Sequence, residues 1–212
     1  MNVKRHFVLI GLTVCLAGGE ALAQQPAAVA GEGAAAGHKS VRMIREVTGL
    51  GRNALLRTPQ YNAAGGLVAK MPAKDWAQIS VLFDALSGRD VWLDDLGVQF
   101  YVLLRNRVGG EYSLLRNSQQ LFDVGPGRGH QSAMFVRPAA LSRYGEIVGV
   151  AVELRVKGEV VDVLSDSKVP GGGKLPDKWW ENAKLTVRDG YLLKKSDTPF
   201  ALLAVDDYAY VK

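Results

Sequence analysis

Ile147 to Val163 reads IVGVAVELRVKGEVVDV. Val148, Val150, Val152, Leu154 and Val156 recur at every second position, Lys157-Gly158 interrupts them, and Val160-Val161-Asp162-Val163 returns. A period of two places one set of side chains on one face of an extended strand, and a Gly-containing pair between two such runs is a hairpin turn. The same pattern recurs outward from this hairpin. Val41 to Val47, Trp76 to Phe83 (WAQISVLF), Val98 to Leu104 (VQFYVLL) and Tyr112 to Leu115 predict strands. Met134 to Val136 predicts a shorter one. Leu185 to Val187 and Tyr191 to Leu193, joined through Asp189-Gly190, predict a second hairpin, and Phe200 to Val205 predicts a last strand. Helical signal is confined to Arg137–Tyr144, which contains Pro138, and to Asp177–Asn182. Short strands at close spacing with Gly-rich turns and no βα alternation predict an all-β fold: an immunoglobulin-like antiparallel β-sandwich of about seven to nine strands with one or two short helices. A jelly roll or partly open barrel is the alternative.

The 212 residues carry 48% hydrophobic and 22% charged side chains and a net charge of +5, an ordinary balance for a folded domain. No apolar run reaches the roughly 18 residues of a membrane-spanning helix. The N-terminus instead predicts export. Lys4 and Arg5 precede a short apolar run from Phe7 to Leu16, and Ala21-Leu22-Ala23 offers a cleavage site before Gln24. Residues 1–23 are therefore expected to be a signal peptide. Cys15, the single cysteine, falls inside its apolar run, so neither a disulfide framework nor a multi-cysteine metal site is expected. Val14 before it does not fit a lipoprotein signal, which takes a small residue there. Residues 24–39 are a flexible leader that can bury little, beginning QQPAAVAGEGAAAG, and residues 40–212 form the sandwich domain.

Candidate chemistry is sparse. His6 lies in the signal and His38 in the leader, which leaves His130 beside Gly125-Pro126-Gly127-Arg128-Gly129. Ser132, His130 and Asp123 are near one another in sequence, but no nucleophile elbow frames them, and a solvated loop histidine is the expected state. Gly171-Gly172-Gly173-Lys174 fails the phosphate-loop pattern, with Lys168 where Gly is required and Leu175 after the lysine. Asp94-Asp95 and Asp206-Asp207 could serve a structural calcium or a hydrolase, yet neighbouring strand residues point to opposite faces. Solvated acids are the plainer reading, and neither a metal nor a cofactor is expected. Trp179-Trp180 is the most distinctive patch. Exposed, it would stack on sugar rings or anchor a protein interface; buried, it would plug one end of the sandwich. Trp76 and Trp92 fall in strand patterns and are expected in the core. Arg105, Arg107, Arg116, Arg128, Arg137, Arg143 and Arg155 keep the middle of the chain basic, but export argues against nucleic acid as partner.

The segments EIVGVAVELRVKGEVVDVLS and LPDKWWENAKLTVRDGYLL, with the signal and leader, resemble exported immunoglobulin-like proteins encoded with type IV pilus genes in verrucomicrobial bacteria. The resemblance implies an outer-envelope role, is compatible with oligomeric assembly, and brings no catalytic residues. A pilin keeps a long apolar N-terminal helix; a mature chain beginning QQPAAVAGEG has none, which implies an accessory or surface subunit. The expected function is thus a non-enzymatic structural or interaction subunit of a cell-surface assembly. It would be located in the periplasm, at the outer membrane or on the cell surface, with pilus components or other envelope proteins, or a second copy of itself, as partners. Trp179, Trp180, Arg128 and His130 are the candidate contact residues, beside unpaired strand edges. A glycan-binding module using the same tryptophans is the second reading, and a periplasmic hydrolase using Asp94, Asp95, Asp206 or Asp207 the third.

Overall fold

A computed structural model describes residues 41–43, 48–50, 54–59, 72–86 and 91–203. The signal peptide, the leader, Cys15, Asp206 and Asp207 lie outside them. Among the described residues, ten strands form two five-stranded sheets. The first sheet runs in the order β1 (Val41–Met43), β3 (Asp75–Ala85), β6 (Gly127–Val136) and β10 (Leu192–Lys194), with β2 (Leu55–Arg57) also on β3. The second runs β8 (Glu159–Ser167), β7 (Glu146–Val156), β4 (Leu96–Arg105), β5 (Tyr112–Leu121) and β9 (Thr186–Val187). All pairings are antiparallel except β5 with β9. A seven-residue helix, α1 (Pro138–Tyr144), links β6 to β7, with Pro138 at its first turn, where the missing N–H costs nothing. Short 3-10 turns cover Trp179–Glu181 and Lys195–Asp197.

The core follows from the period of two. Ile79, Val81 and Phe83 of β3 face Val98, Phe100, Val102 and Leu104 of β4, and Val150, Val152 and Leu154 of β7, all fully buried between the sheets. Each such side chain contributes about 1.5–3 kcal/mol by leaving water. The long hairpin β7–β8 forms as its sequence predicts, with Lys157 and Gly158 both at positive φ in the turn.

Strands β5 and β6 outrun the sequence reading because their second or first halves are polar. Arg116 to Gln120 and Gly127 to Ser132 lack apolar alternation but pair along full-length neighbours. His130 accordingly sits within β6, opposite Phe83, and not in a loop. The expected hairpin across Asp189-Gly190 does not form. β9 pairs with β5 in one sheet and β10 with β6 in the other, so the Asp-Gly turn carries the chain between sheets. Phe200 to Leu203 are turns, not the start of a strand. Phe200 is buried there against Phe135 and Trp76 on the outer face of the first sheet, because one large ring closes that small cluster without a strand ladder.

Candidate interaction surface

The strands give the domain two distinct ends. The first holds the β3–β4, β5–β6 and β7–β8 connections; the second holds the β4–β5 turn, α1 and the chain after β8. Between them, the outer face of the second sheet is covered by the connection from β8 to β9.

That connection carries Trp179 and Trp180. They are not an exposed platform, since only 5% and 6% of their surface remains accessible. Nor do they plug an end of the sandwich: they lie on the sheet's outer face with Leu103, Leu114, Val148 and Ala151. The alternation that sends Val102 and Leu104 inward sends Leu103 outward, and a bulge beside Leu103 turns Val148 outward as well. Gly149 makes room for the covering segment, because a Cβ there would lie 2.6 Å from Leu175 Cδ1 and 3.2 Å from the Trp179 ring. Glu153 fixes the segment chemically. Its Oε1 accepts the indole N–H of Trp180 at 2.9 Å, while Oε2 accepts from Arg155 Nη2 at 2.7 Å and the Tyr101 hydroxyl at 3.2 Å. A buried carboxylate is tolerable only with such donors around it. Trp180 stacks on Tyr101, with ring centres 5.8 Å apart. Burial, then the neighbouring Glu153 charge and the hydrogen bond to it, push the Tyr101 hydroxyl above its usual range; Arg155 opposes this.

The other residues singled out from sequence fall at the first end or apart. Arg128 is exposed at the start of β6. His130 is half-buried, its ring stacked on Phe83 at 5.4 Å. Ser132 is buried and accepts a hydrogen bond from Gln119 across the two sheets, which occupies it in a structural contact; Asp123 is exposed. Asp94 and Asp95 are exposed, and Asp95 accepts from Gln120. Among the described residues no three His, Cys, Asp or Glu side chains gather as metal ligands would.

Trp92 departs most from expectation. It is 57% exposed, outside the core, because Leu93 and not Trp92 is the inward residue of the bridge between Leu93 and Val124. One part of its ring lies against Gly125, where a Cβ would stand 3.2 Å from the indole. Leu86 and Val91 are exposed at the same end. Leu93 and Val124 exchange backbone hydrogen bonds at 2.9 and 3.1 Å, which brings the segment of Trp92 and Asp94 alongside that of Asp123 and Gly125, with Asp123 at a φ of 48°. The sequence signal that could have found this is the polar neighbourhood, RDVWLDD, around the indole.

The second end is basic. Arg105, Arg107, Arg137, Arg143, Lys168 and Arg188 gather there, with Arg143 and Arg188 both against the Tyr144 ring at 5.4 and 5.3 Å. A cavity of about 690 Å³ opens at this end, lined in part by Leu55, Leu141, Ile147, Arg107 and Lys168.

A protein-family model matches residues 52–212, and the chain belongs to that family. No curated protein matches it. A solved crystal structure of a protein from Akkermansia muciniphila, a verrucomicrobial bacterium, is similar with a TM-score of 0.65 at 19% identity, covering 81% of this chain and 93% of that one. At that identity the likeness concerns the fold: two facing sheets rather than a closed barrel.

Proposed function

We propose that this protein is an exported, non-enzymatic structural or interaction subunit of a cell-surface assembly associated with type IV pili. The observation that carries the reading is the exposure of Leu86, Val91 and Trp92 together at one end of a domain whose inter-sheet core is already closed. A large indole held in water on a glycine gives nothing to the core, and large apolar side chains exposed at one end of a domain suit a contact face. The polar groups of Ser132 and Glu153 hold the sheets and the covering segment, which suits a scaffold. Membership in the matched family and the fold shared with the Akkermansia protein are compatible with an envelope role.

Mild cross-linking of whole cells followed by fractionation tests the reading. Sedimentation with filaments or outer membrane is expected. A soluble, solitary periplasmic monomer would contradict it. Trp92 also supports a second reading, a glycan-binding module, because its outward indole could stack on a sugar ring. A shift in intrinsic fluorescence on titrating envelope glycans, absent in Trp92→Phe, would favour that alternative.

A further inference from the structure

We infer that copies of this chain associate head to tail, the Arg107–Val108 turn of one copy seating on the Trp92, Asp94 and Asp123 face of the next. The inference rests on the proposed assembly role and names the partner of that surface.

Two complementary ends carry the argument. At the first, Trp92 is braced on Gly125, and the exposed Asp94 and Asp123 lie on the two segments that the Leu93–Val124 bridge joins. Neither acid forms an ion pair among the described residues. Among the described residues of this end, Arg42, Arg128, Lys157 and Arg155, the last paired with Glu153, stand against Asp84, Asp94, Asp95, Asp123 and Glu159. At the second end, Val108 is 98% exposed at the tip of the β4–β5 turn, and Arg107 stands beside it. The turn is pre-formed. Asn106 Oδ1 accepts the Val108 N–H at 2.9 Å, Asn106 O accepts from Gly110 N at 3.0 Å, and the Asn106 N–H bonds Glu111 O at 2.9 Å. Little ordering entropy is therefore lost when it docks. Arg107 has only a long, exposed contact to Glu146 at 3.8 Å, which is worth little and easily exchanged.

The chemistry matches. An arginine meets two carboxylates and an indole face, to which it is drawn by charge and by cation–π attraction, while the valine covers apolar surface. Strand β4 separates the ends by ten residues, about 30 Å at ~3.3 Å per residue. The turn therefore cannot reach the Trp92 face of its own domain. A contact between two different patches is heterologous and repeats along a chain of copies, as a ring or an open filament.

The test uses purified chains in sedimentation velocity. The wild type should form a concentration-dependent ladder of species that recedes as salt is raised. Trp92→Ala should weaken association roughly thirtyfold. A head-dead variant (Trp92→Ala with Asp94→Asn and Asp123→Asn) and a tail-dead variant (Arg107→Ala with Val108→Ser) should each be monomeric, with unchanged circular dichroism and melting temperature because these residues are exposed and Asn accepts the positive φ of position 123 as Asp does. Mixed, they should give a one-to-one dimer and nothing larger, each supplying the end that the other lacks. A wild type that stays monomeric, variants that still form the ladder, or a mixture with no dimer would each overturn the inference. So would a Trp92 fluorescence change driven by envelope glycan and not by protein concentration. None of these touches the cell-fractionation result, so the assembly reading stands or falls separately.

Discussion

Two apolar surfaces of this domain meet opposite fates. On the outer face of the second sheet, Leu103, Leu114, Val148 and Ala151 would be exposed but for the segment carrying Trp179 and Trp180, which covers them and bonds to Glu153. At the first end, Leu86, Val91 and Trp92 remain exposed. The difference is chemical. The covered face contains a buried acceptor for an indole N–H and a glycine that admits the ring, so the chain closes on itself. The open end has a glycine under its indole too, but its carboxylates point to water and await a cation from elsewhere.

Substitutions should separate the two surfaces sharply. Glu153→Ala removes the acceptor of Trp180, Tyr101 and Arg155 together and should cost about 3 kcal/mol in chemical denaturation, since it leaves buried donors unpaired. Gly149→Ala pushes a methyl group against Leu175 and Trp179 and should cost about 1–2 kcal/mol, because the Leu175 side chain can give way. The pH dependence of stability sharpens the covered side further. The Tyr101 hydroxyl is held protonated above its usual range in the fold, so its contribution is complete below pH about 10 and is lost as pH rises towards the folded-state value. Denaturation midpoints followed into that alkaline window should fall less steeply for Tyr101→Phe than for the wild type. Trp92→Ala should be the mildest of all, within about 0.5 kcal/mol of wild type for the dilute monomer, although it deletes the largest side chain among these positions. A loss comparable to that of Glu153→Ala would mean that the open end is part of the core.

The same contrast explains what the sequence made legible. The β7–β8 hairpin and the buried runs of β3 and β4 were readable because alternation and turn residues agree with the final fold at each position. The ends of β5 and the start of β6 were not, since Arg116 to Gln120 and Gly127 to Gln131 owe their strand state to long neighbours already in register. Asp189-Gly190 has hairpin chemistry, but tertiary pairing draws its two flanks into different sheets. The tryptophans show the limit most clearly. Trp179-Trp180 lies among Asp, Lys, Glu and Asn, which reads as surface, yet its burial is created by an acceptor 27 positions away in sequence. Trp92 follows Val91 and precedes Leu93, which reads as core, yet which of these neighbours turns inward is decided by the bridge to Val124. Local pattern locates strands; it does not say which face finds a cover.

Collisional quenching of single-tryptophan variants tests this division most directly. Chains retaining only Trp92, only Trp179 or only Trp180, the others replaced by Phe, are titrated with the neutral quencher acrylamide as dilute monomers. Trp92 should be quenched strongly, and should become protected as protein concentration rises, whereas Trp179 and Trp180 should stay protected throughout. Shielding of Trp92 in the dilute monomer, or ready quenching of Trp179 and Trp180, would contradict the account of one closed face and one open end.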